Sequence, residues 1–214
     1  MVIQMTKFGR RSALSLVTGL FLTCFVSTSA LADPAKDAGN FIQQLADKVI
    51  SIIAGKGNDA EEVRRFGELF SPSIDVPEVG RLVLGRHWRQ ATPQQQQEFL
   101  SLFEQMNVLI WSKRFDEYSG ETLQVLSSKP DNKRFIVDSL IRRPSGKPVS
   151  VQWAVHQSGG SFKIVDITVE GVSMVITNRS DYASAIQSQG GKIDGLLASM
   201  RQRVASMKAE RGLP

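Results

Sequence analysis

Apolar residues recur at three- to four-residue spacing from Pro34 to Ala54, where Phe41, Leu45, Val49, Ile52 and Ile53 share one face. That period predicts an amphipathic helix. Gly55 and Gly57 stop it. Asn58 or Asp59 then caps a second helix, with Glu61 and Glu62 well placed for the helix dipole. Val63, Phe66, Leu69 and Phe70 form its buried stripe, and Ser71-Pro72 ends it. A short helix is expected over Val76–Leu84, with Pro77 in its first turn, followed by Gly85-Arg86-His87-Trp88. Thr92-Pro93-Gln94-Gln95 has the form of a capping box with proline at the first helical position. The helix it opens carries Phe99, Leu102, Phe103, Met106, Leu109 and Ile110, and Gly120 marks the latest point it reaches.

The period then changes to two. Strands are expected over residues 122–127, 134–142, 149–156 and 162–170, joined by Gly-containing turns that favour antiparallel hairpins. The third is the cleanest: Val149, Val151, Trp153 and Val155 face one way, and Ser150, Gln152, Ala154 and His156 the other. Helical patterns resume over residues 172–187 and 192–208, separated by Gly190-Gly191. Helices, a block of strands, then helices again argue for an α+β fold: a twisted antiparallel sheet of about four strands packed with surrounding helices.

The N-terminal segment stands apart. Lys7, Arg10 and Arg11 precede an uncharged apolar run from Ala13 to Val26, and Ala30-Leu31-Ala32 supplies a small-x-small cleavage site. Residues 1–32 are therefore expected to be a cleaved secretory signal peptide, with residues 33–214 as a single domain. The run is short for a membrane span of about 20 residues. Arg10-Arg11 fits a twin-arginine signal poorly, and Thr23 before Cys24 does not suit a lipoprotein signal.

Removing that segment changes the charge. The chain has 26 basic and 21 acidic side chains; without Lys7, Arg10 and Arg11 the balance is 23 against 21, or +2. No run of five or more basic residues occurs, so the electrostatic footprint of nucleic-acid binding is missing. Cys24 is the one cysteine and lies in the signal segment, which removes thiol catalysis and cysteine metal sites from the mature chain. His87 and His156 lack metal-ligand spacing. Neither a G-x-S-x-G elbow, nor a Walker loop, nor a G-x-G-x-x-G stretch is present. Asp166 and Glu170 fall on one strand face, where a capping or exposed role outweighs acid–base chemistry. No catalytic residue, metal or cofactor is expected.

Two segments carry a family resemblance. One is Leu84-Gly85-Arg86-His87-Trp88-Arg89-Gln90-Ala91-Thr92, followed by residues 96–103. The other runs from Phe162 to Val175 through Asp166, Gly171, Val172 and Ser173, followed by Asn178-Arg179-Ser180-Asp181-Tyr182. Their order and separation resemble the MlaC and toluene-tolerance family of periplasmic lipid-binding proteins. His87 and Asn178 depart from the tyrosines frequent in relatives, which leaves the exact lipid open, and a hopanoid-associated branch is similar. The resemblance implies a periplasmic carrier, not an enzyme, that holds phospholipid acyl chains in an apolar cavity. It also implies an outer-membrane lipid-presenting complex and an inner-membrane ABC-type complex as partners. The residues expected to line the cavity are Leu84, Trp88, Phe103, Met106, Ile110, Val137, Val151, Trp153, Val155, Val169, Val172 and Met174. The competing readings are a hopanoid or sterol-like cargo and a structural or chaperone-like protein with a filled core. A lipid hydrolase would need serine, histidine and carboxylate to converge.

Overall fold

The computed structural model describes residues 33–55 and 57–214; the expected signal peptide and Cys24 lie outside them. The chain begins with α1 (Pro34–Ala54), whose N-terminus is capped by the Asp33 carboxylate accepting from the Ala35 and Lys36 amides. α2 (Asp59–Ser73) is capped by Asn58, and α3 (Val76–Leu84) by Asp75. Pro72 lies inside the last turn of α2, not beyond it. A 3-10 turn over Gly85–Arg89 leads to α4 (Pro93–Lys113). Its capping box forms in full: the Gln95 amide donates to Thr92 Oγ1 at 3.2 Å, and the Thr92 amide to Gln95 Oε1 at 2.9 Å. A second 3-10 turn covers Arg114–Glu117.

The sheet is antiparallel in the order β1 (Thr122–Asp131), β2 (Arg134–Arg142), β3 (Val149–Ser158), β4 (Ser161–Val169), β5 (Val172–Ser173). Five strands replace the expected four. The fifth is only two residues long, and Glu170 (φ 48°) with Gly171 (φ 83°) makes the tight left-handed turn that folds it back on β4. β1 also runs past its expected end, through Pro130. It is an edge strand, where proline's missing N–H forfeits no ladder bond. α5 (Met174–Ser188) and α6 (Ile193–Glu210) complete the chain.

The Phe162–Val175 segment has a local mechanical reason for its pattern. Asp166 on β4 accepts from the Ser173 hydroxyl at 2.6 Å and the Val175 amide at 3.1 Å, and Ser173 accepts from the Ile176 amide at 3.1 Å. One carboxylate thus joins the sheet to the start of α5. Asp166→Ala removes both long-range bonds and leaves Ser173 short of a partner. It should lower the unfolding free energy by about 2 kcal/mol in urea titration, the sum of a lost cap and a lost charged hydrogen bond.

Two apolar clusters form. The larger is helical, with Phe99, Phe103, Ile186, Leu197, Met200 and Val204 among its buried members. The smaller lies under the sheet and consists of Ala38, Ile42, Val137, Val155 and Ile164. Ile74 touches both. Gly39 lets α1 approach the sheet: a Cβ there would sit 3.4 Å from Ser128 Cβ. Gln43 fixes the same helix along the free edge of β1, where its amide donates to the Leu123 carbonyl at 3.2 Å and accepts from the Val125 amide at 3.3 Å.

Candidate lipid-binding site

Between the two clusters the interior is hollow. A cavity of about 750 Å3 lies between the inner face of the sheet, α1, α2 and the end of α4. The helical period of α1 sets its first wall, because Ile42, Leu45, Ala46, Val49, Ile50 and Ile53 fall on one side. Phe66, Leu69 and Phe70 of α2 with Trp111 and Phe115 form the second. The sheet contributes Leu123, Ile141, Val151, Trp153, Ile164, Ile167 and Val169. A bulge opposite Ala154–Val155 inserts one residue in β4. It lets Ile164 and Ile167, of opposite parity in sequence, face the same way.

Polar groups concentrate at one end. Arg114, Glu117, Ser119 and Glu121 come from the segment after α4, and Arg143 and Ser145 from the β2–β3 connection. Inside, Trp153 is oriented by a buried serine: its Nε1 donates to Ser139 Oγ at 2.8 Å, and that hydroxyl donates to the Val151 carbonyl at 3.0 Å. Ser139 is 1% exposed. Ser139→Ala would leave the indole N–H to find water in the cavity. Stability should fall by about 1–2 kcal/mol in urea titration.

Of the twelve residues expected to line a cavity, the structure places Val151, Trp153 and Val169 at its wall. The other nine lie elsewhere. Leu84 and Phe103 are buried in the helical cluster, with Trp88 and Met106 packed against it. Val137 and Val155 are fully buried under the sheet. Ile110 and Val172 are exposed, and Met174 is half-buried at the start of α5. The expected lining combines Phe103, Met106 and Ile110 of α4 with residues of the sheet. The apolar stripe of α4 instead meets α6, where Leu196, Leu197, Met200 and Val204 supply the partner face. A helical stripe reports that a face is buried, not what covers it, and α1 and α2 take the position over the sheet.

The two histidines are structural. His87 is buried in the 3-10 turn after α3 and accepts from Arg86 Nε at 3.3 Å. His156 lies 2.8 Å from the Asp75 carboxylate that caps α3, linking sheet to helix. Glu170 holds the β4–β5 turn by accepting from the Ser150 amide. Among the described residues no three His, Asp or Glu side chains are grouped to hold a metal, and no helix is long and apolar enough to cross a membrane.

The family model described as "MlaC protein" matches residues 43–202, most of the chain. The chain belongs to the MlaC family. Two relatives bracket the likeness within it. The toluene tolerance protein Ttg2D of Pseudomonas putida is 25% identical over 145 residues, covering 67% of each chain. The intermembrane phospholipid transport system binding protein MlaC of Haemophilus influenzae is 23% identical over 212 residues, covering 94% of each. A solved phospholipid-binding protein from Ralstonia solanacearum, in complex with a phospholipid, superposes with a TM-score of 0.68 at 24% identity, covering 79% of this chain and 98% of that one. The α+β architecture is therefore the MlaC-family fold.

Proposed function

We propose that this protein carries phospholipid through the periplasm, with acyl chains in the cavity and the headgroup at its polar end. The observation that carries this reading is a partly open cavity of about 750 Å3, lined mainly by apolar side chains, where ordinary packing would place a continuous core. A filled-core structural or chaperone-like role is disfavoured by the same hollow. The name of the Haemophilus influenzae relative and the description of the solved Ralstonia solanacearum neighbour support phospholipid as the cargo.

The physics requires no covalent step. Burying one methylene is worth about 0.8 kcal/mol, so a sixteen-carbon chain represents roughly 12 kcal/mol of avoided hydration. Two chains approach the ceiling of noncovalent affinity, about 18–21 kcal/mol. Such a lipid does not cross water unaided. A cavity as apolar as the bilayer makes exchange close to neutral. A methylene is similar in size to a water molecule, whose share of liquid volume is about 30 Å3. The cavity of about 750 Å3 therefore has the volume of roughly 25 methylenes, more than one sixteen-carbon chain and less than two. Loading and unloading are assigned to an outer-membrane lipid-presenting complex and an inner-membrane ABC-type complex.

Native mass spectrometry of protein purified without detergent tests the reading. The expected spectrum contains protein with one phospholipid mass bound. Lipid-free protein that also takes up nothing from phospholipid vesicles would overturn it.

A further inference from the structure

We infer that the cavity mouth selects a zwitterionic phospholipid with a primary ammonium, of the phosphoethanolamine type, over an anionic one. This rests on the carrier reading above and adds the headgroup class. A mouth built only to hold a phosphate needs only cations. Here two guanidinium groups and two carboxylates line the same end: Arg114 and Arg143 with Glu117 and Glu121. The register of the sheet sets them close. Thr122 pairs with Arg142, so Glu121 and Arg143 are the residues just beyond the adjoining ends of β1 and β2. The two segments abut, since a Cβ on Gly120 would lie 3.6 Å from Pro144 Cγ.

No ion pair within 4.0 Å joins these charges to each other among the described residues. Among the described residues, neither Arg114 nor Arg143 has a carboxylate oxygen within 4.0 Å, whereas Arg64, Arg65, Arg81, Arg134, Arg201 and Arg211 do. Arg114 is instead held over the face of Trp111, 5.5 Å from the ring centroid, at the boundary between apolar wall and polar rim. Glu121 is oriented by Ser119, whose amide and hydroxyl donate to its two oxygens at 2.8 and 3.1 Å. These bonds, with Arg143 nearby, hold the Glu121 carboxyl below the usual carboxylate range, so it is ionised at neutral pH. Glu117 is exposed and has no hydrogen-bond or ion-pair partner among the described residues.

The headgroup chemistry matches this arrangement. With the acyl chains inward, the phosphodiester emerges at the guanidinium groups, which favour phosphate oxygens through charge-assisted bonds. In phosphoethanolamine an ammonium follows two carbons later, and a carboxylate is its natural acceptor. Phosphoglycerol brings no cation, so Glu117 and Glu121 oppose its net charge. A quaternary choline carries the cation but has no N–H to donate.

Delipidated protein should be loaded from vesicles of equal parts phosphatidylethanolamine, phosphatidylglycerol and phosphatidylcholine with identical acyl chains. Mass spectrometry of the extracted lipid then gives the headgroup ratio. Phosphatidylethanolamine should be enriched about fivefold over phosphatidylglycerol, the size of one solvent-exposed ion pair, and also enriched over phosphatidylcholine. In Glu117→Gln/Glu121→Gln the enrichment over phosphatidylglycerol should vanish. The single Glu117→Gln variant leaves the Ser119 turn untouched and should give an intermediate ratio even if the double variant folds poorly. Lipids loaded in vesicle proportions, or an enrichment that survives in both variants, would overturn the headgroup inference while leaving the carrier intact. Protein that loads none of the three would overturn the carrier itself.

Discussion

Ala46→Glu is expected to lower lipid occupancy at least tenfold while shifting the unfolding free energy by no more than about 1 kcal/mol. Ala46 faces the cavity from α1, and glutamate is a good helix former, so the helix itself loses only a few tenths of a kcal/mol. In the empty protein the new carboxylate projects into an open hollow and stays hydrated. When an acyl chain enters, that hydration is lost with no cation to replace it, and burying a charged group unpaired costs more than the ~1–3 kcal/mol of a neutral polar one. Each 1.4 kcal/mol is tenfold in affinity. Ala46→Met adds similar length without charge and should retain most of the lipid, which separates polarity from bulk. Native mass spectrometry after vesicle loading reads occupancy, and urea titration reads stability. Equal occupancy in the glutamate and methionine variants would mean that acyl chains do not pass Ala46.

Much of the fold was legible because its signals are local. The Thr92–Gln95 box, the Asn58 cap and the glycines after α1 act within a few residues of themselves. Period-two alternation placed β2 and β3, and the family resemblance pointed to the lipid cavity. The location of that cavity was not legible, for a physical reason. Phe103 and Val155 carry the same apolar signal as Leu45 and Ile167, yet the first pair is packed solid and the second borders empty space. Periodicity records which side turns away from water and is silent on whether another side chain fills the gap. The rim was hidden for a different reason. Arg114 and Glu121 on one segment and Arg143 on another become neighbours only through strand register, and each resembles an ordinary surface charge. β5 leaves no periodic signal, because two residues are too few to alternate. Turn chemistry offered the one available clue, a Gly171 able to take positive φ beside β4.

Phe99→Ala should produce the reverse of the Ala46→Glu result: a large loss of stability with little specific loss of lipid. Phe99 is fully buried, stacked on Phe103 at a centroid distance of 5.8 Å and met edge-on by Tyr182 at 5.5 Å. Burial around this cluster also pushes the Tyr182 phenol up to about 12, so the ring remains neutral across the physiological range. Gly80 of α3 packs beside the same ring: a Cβ there would make ordinary contact with Phe99 Cε1 at 3.5 Å and would crowd the neighbouring Leu100 Cδ2. Removing the ring leaves a void that surrounding helices close only in part, which costs about 3–5 kcal/mol. That is a large share of the ~5–15 kcal/mol available to a domain, and at about 2–4 °C per kcal/mol it corresponds to a melting temperature lower by roughly 10 °C. Phe99 does not line the cavity, so the molecules that remain folded should carry lipid as before. The two variants together test whether the hollow and the helical core are energetically separate. If Phe99→Ala lowers lipid per folded molecule as steeply as it lowers stability, the cavity wall is not set by α1, α2 and the sheet alone but depends on α4 and α6 behind it.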